Sequence, residues 1–168
     1  LHASLLWKPL CSPDGSLIAT SEQSRSLGKP GLNVWNIQTG DLVFENKYRA
    51  SRILFDNMQD YIITDGGKLR IFSLSSGELV YEDDVSIGPR LSPDGNQLWY
   101  ITGGGISKHG KVVFLDLKNF EKTYSSQPFE AHTLNVEISN NGKMVLALEE
   151  NTTRLINVET NTTVRTFA

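Results

Sequence analysis

The 168-residue sequence contains a single cysteine, Cys11, so no disulfide can form within the chain. Disulfides are the usual sign of a protein from an oxidising compartment, and this sequence does not show that sign. No apolar run approaches the roughly 20 residues that a membrane-spanning helix needs. No basic segment followed by an apolar stretch marks a signal peptide. We therefore predict a cytoplasmic protein without a membrane segment and, because the sequence starts at Leu1, expect a piece of a longer polypeptide.

An excess of basic charge is also missing, since 16 lysines and arginines stand against 19 acidic residues, for a formal net charge of -3. No stripe of basic residues alternates with aromatic ones, as expected for a surface that contacts nucleic acid. Nucleic-acid binding through this segment is therefore not predicted. The expected partner is another protein.

The patterns that mark catalytic or cofactor sites are absent as well. His2, His109 and His132 are far apart, whereas a zinc site needs ligands at short spacing. The three glycines at 103–105 precede Lys108, but no helix pattern follows, so they do not form a phosphate loop. No Gly-x-Ser-x-Gly elbow occurs. We predict no cofactor, no metal and no enzymatic activity.

Helical periodicity is absent too, and short apolar runs bounded by Gly, Asp, Asn and Ser indicate an all-β chain. A polar turn precedes an apolar run four times. These turns occupy residues 12–15, 56–59, 92–95 and 139–142. The Ser-Pro-Asp-Gly form suits a type I turn, with proline fixing φ and glycine completing the reversal. The four turns predict four hairpins.

A second pattern recurs in the same order: two apolar residues, a small polar residue and another apolar residue. It occupies residues 34–37, 71–74, 114–117 and 155–158. The resulting period of about 42 residues, with four strands in each unit, is typical of β-propeller blades. We therefore predict one propeller region over 1–168 with four four-stranded antiparallel blades, at about 1–44, 45–84, 85–129 and 130–168.

These repeats resemble those of WD-repeat propellers. Trp35-Asn36 and Leu115-Asp116 stand where the family has Trp-Asp, and Ala131-His132 stands where it has Gly-His, although no unit has the family's complete His, Ser or Thr, Asp and Trp brace. The resemblance implies a scaffold that binds partner proteins through its rim loops. The Ser-Pro-Asp-Gly turns also look like repeats of propeller-capped peptidases, and residues 32–40 are similar to propellers of translation-initiation factors. An enzyme accessory and an initiation-factor propeller thus stay open.

Four blades are fewer than the seven or eight that such propellers usually contain, and an unfinished propeller exposes sheet faces and edges. Three arrangements are compatible with the sequence. The chain is a fragment of a longer propeller, two chains complete one eight-bladed ring by self-association, or four blades close alone.

Partner binding is expected on the rim that carries the connection between the second and third strands of each unit, because loops vary while strands form the core. The connection in blade 1 runs over residues 21–31 and that in blade 3 over 103–110. Lys47, Tyr48 and the acidic 82–84 segment belong to the same rim. The candidate partner-binding residues are Glu22, Arg25, Lys29, Arg49, Arg52, Lys108, His109 and His132.

Aromatic and asparagine positions give two further expectations. Trp7, Trp35 and Trp99 fall in apolar strands and are predicted to be buried. Asn151 and Asn161 each begin an N-x-T sequence that would accept a glycan in a secreted protein. Without a signal peptide, we interpret both as threonine-rich turns.

Overall fold

The computed structural model describes residues 6–22, 31–48, 50–85, 87–103, 110–127, 129 and 133–168, and every regular element in these ranges is a β-strand. The strands, in chain order, are β1 (Leu6–Cys11), β2 (Leu17–Glu22), β3 (Gly31–Asn36), β4 (Leu42–Asn46), β5 (Arg52–Phe55), β6 (Tyr61–Asp65), β7 (Lys68–Ser73), β8 (Leu79–Asp84), β9 (Ile87–Leu91), β10 (Gln97–Thr102), β11 (Lys111–Asp116), β12 (Lys122–Ser125), β13 (Thr133–Ile138), β14 (Met144–Glu149), β15 (Thr153–Asn157) and β16 (Thr162–Phe167). Within the described residues, no helix is long and apolar enough to cross a membrane.

The strands form four four-stranded antiparallel sheets, β1–β4, β5–β8, β9–β12 and β13–β16, each with neighbours in chain order. This up-and-down order is the topology of a propeller blade. The prediction of an all-β, propeller-like chain with four blades is therefore confirmed. The chain divides into two compact units, residues 1–83 and 84–168, each with two sheets.

The polar turns form because a side chain closes each one from within. Ser12 Oγ donates to Asp14 Oδ1 at 2.7 Å, the Ser16 N–H donates to the same oxygen at 2.8 Å, and Gly15 takes φ +75°. These hydrogen bonds hold the pKa of Asp14 well below its usual range. Equivalent bonds close the turns at 92–95 and 139–142. The turn motif thus fixes where each second strand begins.

The less regular turn at 56–59 is built differently but has the same effect. The Asp56 carboxylate accepts the N–H groups of Met58 and Tyr61, at 3.1 and 2.7 Å, and Gln59 occupies the left-handed position at φ 61°. Burial raises the pKa of Asp56, against the effect of these two bonds.

In unit 1 the sheets β1–β4 and β5–β8 pack face to face around one apolar cluster. The cluster contains Ala19, Leu32, Val34, Phe44, Ala50, Ile53, Phe55, Ile62 and Phe72. We call the face that carries the third and fifth residues of a sheet's second strand its leading face. In β1–β4 this is the face with Ala19 and Val34, and it packs on the next sheet. The opposite face is the trailing face, and β5–β8 contributes its trailing face, with Ile62 and Phe72, to this core.

Unit 2 repeats the arrangement with larger aromatic side chains. The leading face of β9–β12 carries Trp99 and Phe114, whose rings stack with centroids 5.2 Å apart. The trailing face of β13–β16 supplies Val145, Ala147 and Ile156 to the same core. Thus in both units a leading face meets a trailing face, which buries the apolar side chains of alternate residues.

The three tryptophans have different environments. Trp99 is buried, as predicted. The prediction that Trp35 is buried is wrong, because this side chain is 37% exposed. Trp35 pairs with Ile18 and Leu42, so it lies on the trailing face of β1–β4, opposite to Val34. The side chain of Trp7 lies outside the described residues.

Candidate interaction surface

The predicted rim corresponds to one end of each sheet, where the second strand is joined to the third, and we call it the hairpin end. Of the eight candidate residues, only Arg52 is described completely; it begins β5, is exposed and pairs with Asp65. Glu22 ends β2 and pairs with Leu6 and Gly31, but its side chain lies outside the described residues. The candidates wholly outside them are Arg25, Lys29, Arg49, Lys108, His109 and His132.

Asp65 anchors the hairpin end of β5–β8. Its main-chain carbonyl accepts the N–H of Ser51, and Arg52 lies opposite Asp65 on the neighbouring strand. Burial raises the pKa of Asp65, while the nearby positive charge and the N–H of Arg52 act in the opposite direction. The buried Ser21 Oγ donates to the Ala50 carbonyl at 3.0 Å. These bonds hold the connection between β4 and β5 against the two sheets of unit 1.

Beside this anchor lies a group of aromatic and charged side chains that we call the Tyr48 cluster: Tyr48, Lys68, Arg70, Phe72 and Glu82. The Arg70 guanidinium carbon lies 4.3 Å from the centroid of the exposed Tyr48 ring. On the other side, the centroids of the Tyr48 and Phe72 rings are 5.8 Å apart. The Tyr48 ring is therefore positioned by two neighbours and still reaches solvent.

Glu82 holds the charged side of the Tyr48 cluster. Lys68 Nζ lies 2.7 Å from Glu82 Oε1, and Arg70 Nε lies 2.8 Å from Glu82 Oε2. These two cations keep the pKa of Glu82 below its usual range. Because one carboxylate is shared by two cations, the cluster keeps an excess of positive charge.

Sequence reasoning placed Tyr48 and the acidic 82–84 segment on the rim, but it did not select Lys68 or Arg70. The available signal was the alternation of Lys68, Arg70 and Phe72 along β7, which puts all three on one face of the strand. The ion pairs of Lys68 and Arg70 with Glu82 depend on the neighbouring strand β8, whose position the pattern of a single strand does not specify.

The hairpin end of β13–β16 in unit 2 is enclosed instead. Arg154 donates through Nε and Nη2 to Glu149 Oε1, with a 3.0 Å bond from Nε, and Thr152 Oγ1 donates to Glu149 Oε2 at 3.3 Å. The Arg154 guanidinium carbon lies 5.9 Å from the centroid of the buried Phe129 ring. Both Glu149 and Phe129 are buried, so this group is part of the packing of the fold and is not open to a partner.

A small cavity lies between the two sheets of unit 2. It has a volume of about 20 Å³ and is lined by residues that include Arg90, Trp99, Val136 and Ile138. Pockets that enclose small molecules typically measure about 300–1,000 Å³. This cavity therefore fits about one water molecule and offers no place for a substrate.

Metal ligation finds no support in the part of the chain that the structure describes. No group of three or more His, Cys, Asp or Glu side chains there is arranged to hold a metal ion. Cys11 is exposed and is not part of a disulfide. The described hairpin ends therefore offer aromatic, cationic and carboxylate groups for contact with another molecule.

Comparison with known proteins bears on the fold alone. No protein-family model matches the chain, and no curated protein matches it. By structure, 951 solved chains match. One of them, from Kuenenia stuttgartiensis hydrazine synthase, has a TM-score of 0.64 and 20% sequence identity, over 94% of this chain and 47% of that chain. The present chain thus spans about half the length of that one.

The class defined by these findings is an all-β chain with a propeller-like arrangement of blades. A fold shared with so many solved chains does not specify a function, because propellers carry unrelated activities. Function has to be argued from the surface that this chain presents.

Proposed function

We propose that this chain is a non-catalytic protein-interaction scaffold, a WD-repeat-like propeller segment that binds a partner protein in the cytoplasm. The observation that carries the proposal is the exposed Tyr48 ring, held by Arg70 and Phe72 at the hairpin end where the exposed Arg52 begins β5. Tyrosine and arginine are among the residues most enriched at the energetically important positions of protein interfaces.

Rigid positioning of Tyr48 supports this role. An aromatic side chain fixed before binding loses less conformational freedom when a partner arrives, so more of the contact energy appears as affinity. The ring contacts with Phe72 and Arg70 supply that order. The bonds from Ser51 to Asp65 and from Ser21 to Ala50 hold the backbone that follows Tyr48.

The charges at this hairpin end favour a partner with acidic and aromatic groups. Arg52 is exposed, and Lys68 and Arg70 share the single carboxylate of Glu82. Charges of this kind act mainly on specificity and on the rate of association. The overall charge of -3 argues against nucleic acid or an anionic membrane as the partner.

Hydrazine synthase is named as an enzyme, but likeness in fold does not transfer its chemistry to this chain. The polar groups at the described hairpin ends bind one another in ion pairs and turns. Such groups suit recognition, and we do not assign a reaction to them.

Affinity enrichment with matched variants tests the proposal. Tagged wild-type protein and the variants Tyr48→Ala and Arg52→Glu are compared by quantitative mass spectrometry of the proteins that they retain. Lys118→Glu is the control, because Lys118 is exposed in the turn between β11 and β12, away from the hairpin ends. The substitution changes the net charge by the same amount as Arg52→Glu.

We expect proteins that wild type and Lys118→Glu retain equally and that Tyr48→Ala and Arg52→Glu lose, while circular dichroism shows that all four proteins are folded. An identical set of retained proteins for all four would contradict the proposal. If one of the retained proteins is an enzyme and its turnover changes when the chain binds, the chain is an enzyme accessory and the scaffold proposal is wrong.

A further inference from the structure

One apolar sheet face stands out in unit 2, namely the leading face of β13–β16. Leu146 and Leu148, the third and fifth residues of β14, are 39% and 44% exposed. At the same positions of β10, Trp99 and Ile101 are 6% and 3% exposed. Phe167 pairs with Thr153 on the same face of the sheet and is exposed as well. The leading face that is covered in β9–β12 is therefore open to solvent in β13–β16.

The first sheet has the opposite open face. On the trailing face of β1–β4, Trp35 and Leu42 are exposed, and Ile18, their neighbour across the sheet, is partly exposed. Val145, at the same strand position as Ile18, is fully enclosed. Among the described residues, the leading face of β13–β16 and the trailing face of β1–β4 are thus both open.

Leading and trailing faces are complementary in both units, since in each of them the core forms where a leading face meets a trailing face. We propose that a second copy of this chain places the trailing face of its β1–β4 sheet on the leading face of β13–β16. The contact repeats the packing already present within each unit and covers Leu146 and Leu148 on one copy and Trp35 on the other.

Charge supports this pairing. Arg165 is exposed on β16, on the same face as Leu155, and Glu45 is exposed on β4, on the same face as Asn33. These residues place a positive charge on the outermost strand of the leading face and a negative charge on the outermost strand of the trailing face. Two copies therefore bring opposite charges together at the outer edge of the contact.

Light scattering and sedimentation of the purified chain over a range of concentrations test the proposal. We expect a mass that rises from 18.7 kDa to at least twice that value as the concentration increases, because the contact joins two different faces. Leu148→Asp and Trp35→Asp should each weaken the association at least about tenfold, since each puts a charge into the covered contact. Met58→Asp is the control, because Met58 is highly exposed in a turn outside both faces.

Mixing the two variants distinguishes this contact from other dimers. Leu148→Asp keeps an intact trailing face and Trp35→Asp keeps an intact leading face, so the mixture should form a heterodimer although each variant alone stays monomeric. If Trp35→Asp fails to fold, as judged by circular dichroism, Leu42→Asp takes its place, because Leu42 is exposed on the same face.

Three results would overturn the proposal. The first is a wild-type monomer that persists to about 100 µM, which would mean that a segment other than a second copy covers the face. The second is a dimer that Leu148→Asp leaves intact. The third is a mixture of the two variants that stays monomeric, since the complementary faces would then not bind each other.

Discussion

The hairpin ends of β5–β8 and β13–β16 begin from similar sequences and reach different structures. Each has an acidic residue at the end of the second strand, Asp65 or Glu149, and an arginine early in the third strand, Arg70 or Arg154. In β13–β16 the two bind each other beneath the surface. In β5–β8 Asp65 interacts with Arg52, while Arg70 binds Glu82 and lies against one side of the exposed Tyr48 ring.

The difference shows how burial assigns a role to similar side chains. A buried ion pair cannot lose one partner without leaving a charge in a poorly solvated place, so it behaves as part of the fold. The Lys68–Glu82 pair lies at the surface, where ion pairs contribute little stability and the charged groups stay accessible to another molecule. We therefore expect substitutions in β13–β16 to change stability and those in β5–β8 to change binding.

The largest effect is expected for Arg154→Ala, which leaves the Glu149 carboxylate buried without its cation. The free energy of unfolding should fall by about 3–5 kcal/mol, as measured by chemical denaturation. The double variant Glu149→Met/Arg154→Met should recover most of this loss, because it removes both charges and keeps apolar volume. A loss below about 1 kcal/mol for Arg154→Ala would mean that the pair is effectively solvated.

Gly110→Ala should follow in size. A Cβ at this position would lie 2.8 Å from Ile101 Cγ2 and 3.6 Å from Phe129 Cδ2. Both neighbours are buried and cannot move aside freely, so we expect a loss of about 1–3 kcal/mol from overpacking. Thermal unfolding measures this loss, and an unchanged melting temperature would show that the packing beneath the hairpin end of β9–β12 is loose.

Tyr48→Ala is expected to cost less, about 1 kcal/mol, because it removes one ring contact with Phe72 and one with the Arg70 guanidinium at an exposed site. Tyr48→Phe keeps both contacts and serves as the control with near-normal stability. If Tyr48→Ala lost as much stability as Arg154→Ala in the same denaturation experiment, the contrast between the two hairpin ends would disappear.

The smallest effect concerns pH. Because burial raises the pKa of Asp65, the folded state binds its proton more tightly than the unfolded chain does. The contribution of Asp65 to stability therefore declines as the pH rises above about 4. Relative to wild type, Asp65→Asn should gain stability between pH 4 and pH 7 in thermal unfolding.

Asp94→Asn is the matched control of opposite sign. Hydrogen bonds from Ser92 and Asn96 lower the pKa of Asp94, so its contribution is present above about pH 4 and is lost below it. Its variant should thus approach wild type as the pH falls. A constant offset of Asp65→Asn from wild type across the range would contradict the assignment.

Most of the fold could be predicted from sequence because the turns are local. Asp14, Asp56 and Asp94 close their turns with hydrogen bonds to nearby residues, so the motif alone specifies each hairpin. The exposure of Trp35 could not be predicted, since it depends on what covers the trailing face of β1–β4. The alternation along β3 is clear from sequence, but it does not tell which of its two faces is covered.

The candidate surface was predicted only in part. Tyr48 and Arg52 lie in or next to a connection, and loop position was enough to select them. Arg70 and Glu82 face each other from adjacent strands, and Glu149 finds Arg154 across a hairpin. Such pairs depend on the register between strands and on burial, which composition and spacing do not give.

The most direct test of the scaffold proposal is a binding titration with a partner retained by the wild-type chain. The dissociation constant is measured for wild type, Arg52→Glu and Lys118→Glu. We predict that Arg52→Glu weakens binding at least about tenfold while Lys118→Glu binds as wild type does. Equal dissociation constants for all three would show that the hairpin end of β5–β8 is not the surface that binds the partner.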